Sequence, residues 1–186
     1  EVAPYAPIGD NWGVTAEKTT AETTAKDLDT NDQRAVRMDK RERLLGRGLQ
    51  AFPVTVERSD SLAEVRERFD GTVEAGESTG ETVSVTGRVM FVRNTGKLCF
   101  ATLQEGGPQG AGSRLQAMIS LAEVGEDALA DWKSLVDLGD HVRVTGEVIA
   151  SRRGELSVMA TGFEIASKAI RCLLYTSDAA DDSLRV

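Results

Sequence analysis

Three side chains in this sequence carry recognition chemistry: the ring of Phe100, the amide of Gln116 and the guanidinium of Arg88. An exposed ring stacks an unpaired base, for about 1–3 kcal/mol per base. A Gln amide offers one donor end and one acceptor end to a Watson–Crick edge, and Arg pairs with phosphate or base. The residues that make and break bonds are sparse. His141 is the single histidine, and Cys99 and Cys172 have neither metal spacing nor the pattern of a disulfide framework. A reducing compartment is the simpler reading of two such cysteines. No Gly-rich phosphate loop stands between a strand and a helix, and no nucleophile lies beside a base. Asp137 and Asp140 flank a turn and read as caps for it rather than as metal ligands.

Strands must hold the three recognition residues. "RNTGKLCFATLQ", residues 93–104, is two strand ends around an Asn-Thr-Gly turn, because Asn and Gly tolerate positive φ. "TVSVTGRVMFV" and "HVRVTGEVIAS" share the pattern V-x-V-T-G-x-V, with Gly87 and Gly146 inside the runs. A strand glycine marks a bulge or a sharp bend, which suits a small curled barrel. With "KLCFATLQ", "RLQAMIS" and "ELSVMATGFEI" the strands number five. Between the third and fourth lies "SLAEVGEDALADWKSLVDLG", whose apolar residues recur at helical spacing and place Trp132 in the core. Three strands, a helix and two strands is the order of the OB-fold, a five-stranded Greek-key barrel.

Strict period-two alternation assigns the faces. Val83, Val85, Gly87, Val89 and Phe91 point inward in the first strand, and Thr86, Arg88 and Met90 outward. Cys99, Ala101 and Leu103 fill the interior from the second strand, which leaves Phe100 outside. Leu115, Ala117 and Ile119 point inward from the third, with Gln116 and Met118 outside. Arg88, Phe100 and Gln116 thus gather on the outer face of strands one to three, where OB-folds take oligonucleotides. The competing reading has Phe100 covered by the N-terminal segment as part of the packing.

Upstream, residues 1–31 are rich in Thr, Ala and acids and read as a disordered acidic leader. Residues 32–80 form a helical extension. Asp32 is placed to cap "DQRAVRMDKRERLLGRG", a helix with six bases and three acids that either docks by a narrow seam or meets RNA. Ser61 caps "LAEVRERF", with Glu64 at the capping-box position. Residues 70–80 read as a Gly- and acid-rich linker, and 81–171 as the barrel domain. The formal net charge is −8, yet residues 32–171 hold only −2 of it, so charge neither favours nor excludes a nucleic-acid partner. No apolar run approaches the roughly 18 residues of a membrane helix, and the start, at Glu1, carries no signal segment.

"GRVMFVRNTGKLCFATLQEG", "RLQAMIS", "DLGDHVRVTGEVIASRRGELSVMATGFEIASKAIR" and "QRAVRMDKRERLLGRGLQAFPVTVERS" together resemble the N-terminal region of bacterial lysyl-tRNA synthetases of the actinobacterial type. The resemblance covers about residues 32–171. It implies an OB-fold that binds the tRNA(Lys) anticodon loop, which is U-rich. Phe100 of "GKLCF" then matches the aromatic that stacks on the central anticodon base, and Gln116 of "RLQ" the amide that reads it. Arg88 of "TGR" matches a basic anticodon contact. Glu155 of "RRGELS" matches an acid placed to help recognise a neighbouring base. "GGPQGAGS", between the second and third strands, departs from the short Asp-Gly turn of the family.

The same resemblance implies that ATP and Mg²⁺ serve a catalytic domain absent from this chain, which itself carries no catalytic, cofactor or metal site. A homodimer is expected for the full-length ligase, with a cytoplasmic location and no membrane contact by this fragment. "CLLYTSDAADDSLRV", residues 172–186, resembles the translation of a transposase sequencing adaptor. With the missing initial Met, it suggests a product truncated before the catalytic half. Three other readings remain. They are a stand-alone OB module for single-stranded nucleic acid, a scaffold domain with its outer face covered by protein, and the synthetase part of a lysylphosphatidylglycerol synthase fusion.

Overall fold

The computed structural model describes residues 33–107 and 112–171. The leader with Asp32, part of the "GGPQGAGS" stretch and the tail with Cys172 lie outside the described residues. Five strands close into a barrel: β1 (Ser78–Asn94), β2 (Leu98–Gln104), β3 (Arg114–Ser120), β4 (His141–Ala150) and β5 (Leu156–Ser167). Their order around the wall is β1-β2-β3-β5-β4, with β3 and β5 parallel and the other neighbours antiparallel. This is the OB-fold. The helices among the described residues are α1 (Gln33–Gly46), α2 (Leu62–Phe69) and α3 (Leu121–Leu135), the last spanning the gap between β3 and β4.

Alternating apolar residues build the interior. Val83, Val85, Val89, Cys99, Ala101, Leu103, Leu115, Ala117 and Ile119 are all buried, as their parity requires. A fully buried side chain of Val or Leu size contributes roughly 1.5–3 kcal/mol relative to its exposed state. The amphipathic face of α3 adds Leu129, Trp132 and Leu135 to the same core, and Trp132 meets Phe163 edge-on with ring centroids 4.9 Å apart. Gly146 is demanded by close approach, since a Cβ there would lie 2.0 Å from the Met159 carbonyl oxygen. Gly96, with φ of +82°, turns the β1–β2 hairpin as the Asn-Thr-Gly run predicts.

Two parity assignments fail. Phe91, expected inside, is 56% exposed. The register of β1 against β2 shifts between Val89 and Phe91, where a bulge inserts one extra residue. Beyond the bulge the faces exchange: Val92 packs against the core, and Phe91 and Arg93 turn outward. Met118, expected outside, is also buried, covered on the outer wall by its neighbours there. β1 begins at Ser78, inside the stretch read as linker, and Ser78 pairs with Ile149 of β4.

The helical extension is fixed to the barrel by charge and caps. Ser61 and Glu64 form the full capping box of α2. Glu105, at the end of β2, accepts from the Leu62 and Ala63 amides at the N-terminus of that helix, where negative charge is favoured. The bases of α1 turn onto protein: Arg47 forks onto Asp131, Arg43 donates to the Ser134 carbonyl, and Lys40 pairs with Asp137. Through these contacts α1 is docked on α3 and the turn that follows it.

Where β5 ends, Lys168 is sunk in the protein. Its Nζ donates to the Leu135 carbonyl at 2.7 Å, to Asp137 Oδ2 at 2.5 Å and to Asp140 Oδ2 at 2.6 Å. Asp140 Oδ1 accepts from the Ala169 amide, and Arg37 of α1 donates to the Ala169 carbonyl. Asp140 also accepts from the Asp137 amide, so it caps the turn as expected while spending its other contacts on Lys168 and Ala169. Among the described residues no helix is long and apolar enough to cross a membrane.

Candidate nucleic-acid interface

The strand registers bring the outer-face residues into rows. Arg93 of β1 stands opposite Phe100 of β2, Phe100 opposite Met118 of β3, and Met118 opposite Met159 of β5. In the next row, Gln116 lies between Thr102 and Ser157. These rows floor a groove of about 610 Å³, with the β4–β5 loop on one side supplying Ser151, Arg152, Arg153 and Glu155. Phe100, Gln116 and Glu155 therefore share one concavity. Its floor is apolar where a base can stack and polar where an edge can be read.

Phe100 is half-buried and outside the core cluster. The Arg93 guanidinium lies 4.6 Å from its ring centroid. A cation over an aromatic face at an exposed site is worth about 0.5–1 kcal/mol, small enough for a stacked base to replace. Arg93 reaches this position only because of the bulge, since strict alternation turns it inward. The signal was present in the sequence: an aliphatic Val92 followed by a charged Arg93 reverses the pattern of Val89 and Met90.

Gln116 is held on both sides. Its Nε2 donates to Glu155 Oε2 at 2.5 Å, and its Oε1 accepts from the Ser157 hydroxyl at 3.1 Å. The loop presenting Glu155 is closed on itself, with the Ser151 amide donating to the Glu155 carbonyl at 2.8 Å and the Glu155 amide to Ser151 Oγ at 3.1 Å. A short turn with hydrogen bonds at both ends loses little entropy when a ligand arrives. Arg152 and Arg153 project from it, both exposed. Sequence reasoning missed these two arginines as well as Arg93 and Met159. Only the parallel pairing of β3 with β5 brings the loop to the groove.

Arg88 is placed elsewhere. It lies on the same outer face but pairs with Gln104, four residues along β2 from Phe100, or roughly 13 Å at strand spacing. Its guanidinium donates to the Gly139 carbonyl at 3.1 Å and lines a second concavity with Arg58, Gln104 and His141. Partial burial, then the positive charge of Arg88, holds the His141 imidazole below its ordinary value, against an opposing pull from Asp140. The outer face thus offers two adjoining stations, one aromatic and one cationic.

A five-stranded barrel of this order, with an aromatic and an amide on its outer wall, defines a nucleic-acid-binding module. Residues 83–166 match the family model of the tRNA anticodon type, described as an OB-fold nucleic acid binding domain. Similar proteins narrow the class. The chain is 59% identical over 145 residues to a lysine–tRNA ligase of Kineococcus radiotolerans, covering 78% of this chain and 28% of that protein. It is 51% identical over 158 residues to the lysine–tRNA ligase of Mycolicibacterium gilvum, covering 85% and 30% respectively. A lysine–tRNA ligase of Clostridium perfringens is 37% identical over 144 residues. The chain belongs to the N-terminal, anticodon-binding region of the lysyl-tRNA synthetase family. It spans less than a third of the length of these relatives.

Proposed function

We propose that this chain recognises the anticodon loop of a lysine-accepting tRNA on the outer wall of its barrel. Phe100 stacks the central base, Gln116 reads that base's edge, and Glu155 acts beside Gln116. Arg88 meets the backbone at the adjoining station. One observation carries the reading: Phe100, Gln116 and Glu155, from three separate stretches of chain, line a single groove. Side chains alone suffice for this recognition. For a protein carrying this chain beside the remainder of its relatives' length, we propose lysine–tRNA ligase activity with ATP and Mg²⁺, a homodimer and a cytoplasmic setting.

Fluorescence anisotropy with a U-rich anticodon hairpin tests the reading. Phe100→Ala should weaken binding by about 1–3 kcal/mol, the worth of one stacked base. Folding stability should fall by less than the ~3–5 kcal/mol of a core Phe, because the ring stands outside the core cluster. A large stability loss with unchanged RNA affinity would refute the proposal and favour a protein-covered face. Equal affinity for U-rich and unrelated loops would favour a general single-strand binder instead.

A further inference from the structure

An amide has a donor at one end and an acceptor at the other, and it can be turned over at little cost unless its neighbours object. Gln116 has two such neighbours. The Ser157 hydroxyl, 3.1 Å from Oε1, can accept as readily as donate, so it tolerates either orientation. The Glu155 carboxylate cannot. It only accepts, and its Oε2 lies 2.5 Å from Gln116 Nε2. The reversed amide would set two oxygens against each other at that separation with no hydrogen between them. Glu155 alone distinguishes the two orientations, and its loop is closed by Ser151 without help from a ligand.

We infer that Glu155 is a positioning residue: by fixing the polarity of the Gln116 amide it makes the groove choose uracil over cytosine at the base stacked on Phe100. This rests on the reading of the groove as an RNA site. With one Nε2 hydrogen taken by Glu155, the other Nε2 hydrogen and a lone pair of Oε1 remain for the base. Uracil presents the O4 acceptor beside the N3–H donor, whereas cytosine presents the N4–H donor beside the N3 acceptor. The two edges are the same pair of positions with their signs exchanged. The fixed amide matches uracil at both positions and sets like against like for cytosine. An amide free to turn over would accept either base equally well. Stacking on Phe100 fixes the plane of the base and leaves amide polarity to make the choice.

The test uses the whole chain and anticodon hairpins with U or C at the central loop position, plus a pair differing at a flanking position. The wild-type protein should prefer central U by about tenfold or more, the worth of a matched bidentate contact. Glu155→Gln keeps the length of the side chain but can donate or accept, so the central preference should collapse to within about twofold. The thermal midpoint should change little, which separates lost polarity from a disturbed fold. A central preference that survives Glu155→Gln overturns the inference. So does a loss confined to the flanking position, which would mean that Glu155 reads a neighbouring base directly. Wild-type binding with no U-over-C preference also overturns it while leaving the RNA site intact. No hairpin binding at all would remove the RNA site itself.

Discussion

Replacing Lys168 with Met should cost this domain about 3 kcal/mol. Met keeps most of the stem volume and removes only the ammonium, which lies at zero exposure between Asp137 and Asp140. Breaking a buried ion pair from one side costs about 3–5 kcal/mol, because the partner is left buried and uncompensated. Asp140, itself at zero exposure, keeps two backbone donors, the Asp137 and Ala169 amides, which sets the estimate at the lower end. Asp137 keeps Lys40. For a domain of this size the loss corresponds to a fall of roughly 10 °C in thermal midpoint.

The effect has a pH signature. Burial alone would raise the Asp137 carboxyl, but the hydrogen bonds and charges of Lys168 and Lys40 outweigh it and hold it below the usual value. A carboxyl depressed in the folded state is protonated first in the unfolded chain. Its stabilisation is complete above the unfolded value of about 3.9 and is lost as pH falls from there through the folded value. Lys168→Met should therefore flatten the acid limb of the stability curve as well as lower its plateau. Urea denaturation across that range measures both. Adding Asp140→Asn should recover part of the loss, since a coupled pair departs from additivity by about 0.5–3 kcal/mol. A loss under about 1 kcal/mol with an unchanged acid limb would refute the argument and show that water reaches the ammonium.

Two further outcomes are expected. Gly146→Ala should prevent folding or cost more than about 4 kcal/mol, because the new Cβ would meet the rigid Met159 backbone at 2.0 Å; a soluble protein with a near-wild-type urea midpoint would show that β4 and β5 can part there. Arg88→Ala should reduce the slope of log affinity against log salt by about one without altering base preference, if Arg88 meets a phosphate; a changed base preference at constant slope would place it on a base edge instead.

The barrel was legible because its information is local. Each strand carries its own alternation, and the interior valines of β1 and β4 are buried as their parity says. Phe100 was legible for the same reason, as an aromatic on the wrong face of an otherwise regular strand. The groove around it was not. Gln116 and Glu155 are 39 residues apart, and their hydrogen bond depends on the parallel β3–β5 pairing, which alternation within a strand does not encode. Arg88 was grouped with Phe100 because face assignment says which side a residue occupies but not how far along the strand it lies. The bases of α1 looked available to RNA because their acceptors on and after α3, two carboxylates and a carbonyl, lie some ninety residues downstream.

The bulge after Val89 also governs which substitutions β1 can accumulate. Upstream of it, odd-numbered positions such as Val85 and Val89 answer to the packing of the interior and admit only close replacements in size and polarity. Downstream, odd-numbered positions answer to solvent and to whatever occupies the groove, so Phe91, 56% exposed, is open to polar replacement while Val92 is not. Loss of the one extra residue between them would close the bulge yet leave Val92 inward and Arg93 opposite Phe100, because the pairing beyond it already runs one-to-one. The groove face of this strand is thus fixed by its pairing with β2 rather than by its length. Among lineages of this domain, β1 can shed the bulge residue more freely than it can place a polar side chain at Val92.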